Sequence, residues 1–208
     1  MIPLLNVNWQ GLPPDYALSE RDTEVLSIID EEDLTTFTFD GLKRRLGLHP
    51  ETLSRILSRL EEEGIVKKTS EGYKVTPKLT RLKLHPPRHE TQSASLLQTY
   101  LPSNMLTQQL ISTLNGKWFG ILRWLGISEN SEGVTLKWVT EDGGIQIAAN
   151  ISGNSLNIDA KFLRDNNLDL ALKAAYQLMA YIGKLYSGTR LARHVAYYGG
   201  DDLNLMPA

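Results

Sequence analysis

Five polar side chains on one short stretch open a chemical question. Residues 50–62, PETLSRILSRLEE, put Leu53, Ile56, Leu57 and Leu60 at helical spacing, so Glu51, Ser54, Arg55, Ser58 and Arg59 fall on the opposite face. Arginine can donate two hydrogen bonds to the edge of a guanine, and short serines do not obstruct approach to a major groove. Pro50 suits the first helical position and leaves the N–H groups of that turn open to a phosphate. Lys43, Arg44 and Arg45 precede the stretch, and Lys67, Lys68 and Lys74 follow it. Such cations would fix position on a phosphate backbone, while the arginines of the helix would read bases. The alternative is an ordinary solvated face, since Glu51, Glu62 and Glu63 lie within a turn of Arg55 and Arg59.

Other chemistry is thinner. His85 and His89 have i,i+4 spacing, but HPPRH cannot form a regular helix, so they read as linker histidines rather than metal ligands. Asp201–Asp202 reads as a solvated tail. The chain has no cysteine, which excludes disulfides, thiolate metal sites and cysteine nucleophiles. There is no GxSxG, HExxH, GxGxxG or phosphate-loop motif, so no enzyme, cofactor or metal site is expected.

The 208 residues carry a net charge of −2, but that charge is segregated. Residues 1–39 hold eight acidic side chains against one basic, Arg21. Residues 40–90 hold twelve basic against seven acidic, and residues 91–208 hold nine of each. A locally basic middle implies a local anionic partner. No apolar run reaches the roughly 20 residues of a membrane span. The apolar N-terminus lacks a basic region ahead of it, so a cytoplasmic protein is expected.

Several elements must position these groups. Ser19 or Asp22 can cap a helix whose apolar face is Val25, Leu26, Ile28 and Ile29, ended by the acidic run Asp30–Asp33. A second helix carries Phe39, Leu42 and Leu46 on one face and stops at Gly47. The third helix runs from His49–Pro50 to Gly64. Residues 65–68 and 73–75 then read as two strands of a hairpin. Residues 85–95, HPPRHETQSAS, read as a linker, giving domains at 1–84 and 96–208. Beyond the linker, residues 104–114 look helical. Alternation from Trp118 to Phe162 predicts three or four antiparallel strands, with KWFGILRWLGIS favoured as strand over helix. Residues 168–186 predict a long helix facing the sheet through Leu172, Ala175, Leu178, Met179, Ile182 and Leu185. The fold class is therefore α+β, and the tail from Tyr197 is expected to be loose.

The stretch FDGLKRRLGLHPETLSRILSRLEEEGIVKKTSEGYKVTP resembles the winged helix-turn-helix of prokaryotic transcriptional regulators of the MarR- and ArsR-like group. Leu42, Leu46 and Gly47 carry the second helix and turn. Thr52, Leu53, Ser54 and Arg55 carry the recognition helix, and Leu60, Glu61, Gly64, Ile65 and Val66 lead into the wing. The resemblance covers residues 17–80 and implies double-stranded DNA as partner, with the third helix in the major groove and the wing on the backbone. Without cysteines, the metal sensing of some ArsR-like proteins is not implied. The coupling of this motif to an unclassified α+β domain has an archaeal look.

The second domain is expected to pair two subunits. Trp118, Trp124, Trp138, Tyr176 and Tyr181 are the candidate dimer surface or pocket for a small-molecule effector, beside a simple core reading. Arg123 and Lys137 interrupt the aromatic strands and either meet an anion or face solvent. The function expected is a sequence-specific, homodimeric DNA-binding regulator. The alternative is a winged-helix protein-interaction module within a transcription or replication assembly, docking through the acidic first 39 residues.

Overall fold

The computed structural model describes residues 18–81, 91–101, 107–164 and 167–198. Helix α1 (Glu20–Glu31) starts on a reciprocal cap: the Ser19 side chain accepts from the Asp22 N–H, and the Asp22 carboxylate accepts from the Ser19 N–H at 2.8 Å. Strand β1 (Thr36–Phe37) follows, then α2 (Phe39–Leu46), capped by Thr38 and closed by Gly47 at φ 67°. That left-handed turn is cheap only for glycine and aims the chain into α3 (Pro50–Glu62). Strands β2 (Val66–Thr69) and β3 (Gly72–Val75) form the wing, and the short α4 (Lys78–Arg81) ends this half.

The second half consists of β4 (Gln92–Tyr100), α5 (Thr107–Leu114), β5 (Leu122–Asn130), β6 (Gly133–Thr140), β7 (Ile145–Ser152), β8 (Ser155–Phe162) and α6 (Leu168–Tyr198). The expected linker gives way to strand at Gln92, because residues 92–100 pair with β8 along its whole length. Its earlier part, with His85 and His89, lies outside the described residues, as do Asn104, the N-terminal segment 1–17 and the tail from residue 199 with Asp201–Asp202. The KWFGILRWLGIS segment is strand from Leu122 onward. Helix α6 runs twelve residues past the expected end.

Among the described residues, eight strands join one antiparallel sheet in the order β2-β3-β1-β5-β6-β7-β8-β4. Two-residue β1 is the splice: Thr36 stands opposite Lys74 of the wing on one side and Ile127 of β5 on the other. Close packing makes the splice. A Cβ on Gly126 would meet the Thr36 carbonyl at 2.2 Å, and one on Gly41 would meet the Leu125 backbone at 2.6 Å. Glycine at both places lets β1 and α2 lie directly on β5.

Two cores result. One holds Val25, Leu26, Ile29, Leu42, Leu53, Ile56, Leu57, Leu60 and Ile65 between the three helices and the wing. The other holds Trp138, Leu136, Ile147, Ile158, Ala174, Leu178 and Ile182 between the sheet and α5 and α6. Period-2 alternation sends the remaining side chains of β6, β7 and β8 to the opposite, polar face of the sheet.

Candidate nucleic-acid interface and the charged junction behind it

Helix α3 buries Leu53, Ile56, Leu57 and Leu60 and exposes Glu51, Ser54, Arg55 and Ser58, with Thr52 at the margin. His49 caps it, its Nδ1 accepting from the Glu51 N–H, and Pro50 occupies the first turn. Arg55 bonds Glu51 at 2.5 Å, yet its side chain stays 72% exposed. A pair so hydrated is worth under about 1 kcal/mol, so Arg55 can exchange Glu51 for a base or phosphate at little cost. Arg59 differs. Its guanidinium forks onto the fully buried Asp22 through Nε and Nη2, at distances from 2.5 to 3.2 Å. Burial alone would raise the Asp22 pKa, but the bonds from Arg59 and Ser19 outweigh it and hold the group below the usual range. Arg59 therefore ties α3 to the start of α1 before it can serve any ligand.

The wing places Lys67 opposite Lys74 across β2 and β3, so two cations share one face, while Lys68 stands opposite Tyr73 on the other. All three lysines are exposed, and among the described residues none of their ammonium groups pairs with an acidic side chain, although the Lys68 backbone N–H donates to Glu61 at 3.0 Å. Tyr73 stacks on Phe37 with ring centroids 5.5 Å apart, which fixes the hairpin to the core.

The three cations of α2 separate. Lys43 bonds Asp40 at 2.8 Å near the surface. Arg44 donates to the Asp40 carbonyl and lies 5.9 Å from the Trp118 ring. Arg45 points the other way. Its side chain is 9% exposed, bonded to Glu32 at 2.9 Å and to Gln146 at 3.2 Å. Buried behind α2 by an ion pair, Arg45 leaves the phosphate-contact set expected from the sequence.

Glu32 is the centre of a junction between the two halves. Its carboxylate also accepts from Lys161 at 2.8 Å and Gln146 at 2.5 Å, and Lys137 stands at 3.4 Å. Its carbonyl accepts from Lys137 and from Ser128. Burial works to raise the Glu32 pKa, but the charges of Lys137 and Arg45, with the bonds from Lys161 and Gln146, bring it down to about 2. Burial lowers the Lys137 pKa, partly countered by Glu32. Lys137 thus meets an anion as one reading allowed, and the anion is part of the chain. Motif reasoning missed this junction. Its signal was the run Asp30–Asp33, four carboxylates at the C-terminal end of α1, where the helix dipole favours cations. Such a run needs cations from elsewhere, and the polar sheet face supplies them.

The expected aromatic surface divides. Trp124 and Trp138 are buried and meet edge to face at 5.2 Å, and Phe119 bridges Trp138 to Tyr181 at 5.6 and 4.9 Å. The indole of Trp138 donates to the Lys117 carbonyl. These rings are core, because alternation in β5 and β6 turns them toward α6. Trp118 and Tyr176 are 60% and 65% exposed and remain surface groups. Arg123 stacks on Trp118 at 4.8 Å and bonds Glu141.

Among the described residues no helix is long and apolar enough to cross a membrane, and no three acidic or histidine side chains are grouped to hold a metal. Neither a curated protein nor a solved structure matches the chain. One family model does match, that of the MarR family, over residues 18–71. That span runs from the residue before the α1 cap to the tip of the wing and stops short of the C-terminal half. Residues 18–71 are thus similar to the MarR family, a match that supports a winged-helix transcriptional regulator and leaves the C-terminal half unidentified.

Proposed function

We propose that the protein is a sequence-specific regulator that binds double-stranded DNA as a homodimer. The observation that carries this reading is the outer face of α3, where Ser54, Arg55 and Ser58 stand clear of the surface beside a wing whose Lys67 and Lys74 repel each other. In this reading Arg55 reads a base edge, with Pro50, Glu51, Thr52, Ser54 and Ser58 lining the groove around it. Lys43, Arg44, Lys67, Lys68 and Lys74 hold phosphates.

One such head offers few phosphate contacts. A dimer doubles them and sets two recognition helices on half-sites about one helical turn, roughly 34 Å, apart. The C-terminal part, residues 96–208, is the pairing element in this reading. Exposed Trp118 and Tyr176 supply apolar surface for the contact.

The test is a gel-shift titration of the purified protein against its own upstream region and a shuffled duplex, repeated with Arg55→Ala. Preference for the upstream duplex, lost in the variant, supports the reading. Absence of binding to both duplexes at low salt overturns it. Binding that ignores salt would point instead to an assembly scaffold, because phosphate contacts must weaken as salt rises. Light scattering of the free protein reports the dimer separately.

A further inference from the structure

The polar face of the C-terminal sheet is not flat. A cleft of about 380 Å³ opens between that face and the end of α1. Its only carbon-only side chains are two alanines, and no aromatic ring lines it. Twelve of its lining side chains carry a polar or charged group, so a small polar ligand would find hydrogen-bond partners there and carbon stems beside them.

The register explains the floor. Ala148 of β7 stands between Lys137 of β6 and Asp159 of β8, so a methyl sits where larger side chains flank it. In the next row Thr135 donates to Asn150 at 2.6 Å, and Asn150 donates to Asp159 Oδ2 at 2.7 Å. That relay orients the Asp159 carboxylate and leaves Oδ1 without a partner among the described residues. Across the cleft, Asp33 at the end of α1 forms no ion pair among the described residues.

The cations do not balance these groups. Lys137, Lys161 and Arg45 are committed to Glu32, and Lys161 also serves Glu31 at 2.6 Å. Charge left over on this side is negative. The lining itself shows it, with the carboxylates of Glu32, Asp33 and Asp159 against the ammonium groups of Lys137 and Lys161. The unmet demand is for N–H donors carrying positive charge.

We infer that this cleft is a binding site for a small organic cation bearing primary ammonium groups, held between Asp159 on the sheet and Asp33 in the turn just after α1. One anchor lies on each half of the chain. Occupancy therefore holds the winged helix against the sheet, whatever the helix binds. The site does not depend on the DNA reading.

Calorimetric titration of the full chain with putrescine and spermidine at near-physiological salt tests it, with citrate and magnesium as controls. Saturable binding of a diamine below about 1 mM is expected, with little heat from either control. Asp159→Asn should weaken it about tenfold or more, as should Asp33→Asn, whose exposed position and positive φ both tolerate asparagine. Asp169→Asn, on the exposed start of α6, should change nothing. Melting curves establish that each variant is folded. The inference is overturned by no binding of either amine, by magnesium or citrate binding equally well, or by folded Asp159 and Asp33 variants that bind as the parent does.

Discussion

Arg45 and Arg55 stand ten residues apart with the same charge, yet the fold gives them opposite work. Arg55 lies on the solvated face of α3, 72% exposed, beside a carboxylate it can leave. Arg45 lies under α2, 9% exposed, bonded to Glu32 and to Gln146 a hundred and one residues away. The first region keeps its charge available to a partner. The second spends its charge on holding the two halves together. A basic stretch of sequence therefore says that anions are needed nearby, not that the anions are nucleic acid. The acidic end of α1 competes for those cations, and it wins wherever the chain can bury the pair.

The largest test of this contrast is Glu32→Gln. It removes one carboxylate from three cations and leaves Lys137 buried without its ion-pair partner, with only the more distant charge of Asp33 to answer it. Breaking a buried pair in this way costs about 3–5 kcal/mol. Glu51→Gln, removing the partner of exposed Arg55, should change stability by less than about 0.5 kcal/mol. Urea unfolding of the two variants makes the comparison. Similar losses in both would erase the distinction between junction and surface.

Acid should find the same centre. Glu32 titrates at about 2 in the fold, below its ordinary 4.5. A depressed carboxylate stabilises above its unfolded pKa, because the unfolded chain binds the proton more readily. That stability is complete near neutral pH and drains away as pH falls from about 5 toward 2, on the order of 3 kcal/mol in all. Asp22, held low chiefly by Arg59 against burial, adds a smaller slope of the same sign. Urea midpoints measured from pH 7 to pH 3 should fall steeply in the parent and less in Glu32→Gln. Parallel curves would remove Glu32 from the acid response.

On the other side of the comparison, Arg55→Ala should weaken specific DNA binding about 10- to 100-fold, with stability unchanged within about 0.5 kcal/mol. Arg45→Ala should do the reverse: loss of several kcal/mol of stability, with near-parental affinity in the fraction that folds. Anisotropy titrations paired with unfolding curves separate the two. An affinity loss in folded Arg45→Ala equal to that in Arg55→Ala would return Arg45 to the DNA surface.

Much of the winged helix was legible because its signals are local. Ser19 with Asp22, Pro50 and Gly47 mark helix ends through capping and left-handed geometry, and the leucines of α3 repeat at a clear helical period. The aromatic strands were legible as strands for the same reason. What escaped depends on pairing across long separations. Thr36–Phe37 is too short to read as a strand and exists only because β3 and β5 flank it. Residues 92–95 look like linker because the β4 edge is polar, and β8 makes them strand. The exposed face of α3 proposed to meet DNA followed from residue types and helical period. The roles of Arg45, Arg59, Lys137 and Lys161 did not, because each is decided by a carboxylate distant in sequence. Only the misplaced acidity at the end of α1 hinted that such partners were required.

The wing offers the smallest effect and the cleanest sign. Lys67 and Lys74 face each other directly, and like charges in that position cost a few tenths of a kcal/mol, up to about 1. Lys74→Ala should therefore leave the free protein as stable or slightly more so. If Lys74 holds a phosphate, the same change should lower the salt dependence of DNA binding by about one unit of slope, uniformly across sequences. Unfolding curves and binding isotherms at several salt concentrations give both numbers. A destabilised variant with an unchanged slope would mean that the lysine pair serves the hairpin itself. A stabilised variant with a reduced slope would mean that repulsion is carried in the free protein because a polyanion relieves it in the complex. That trade is the opposite of the junction at Glu32, where the chain supplies its own anion.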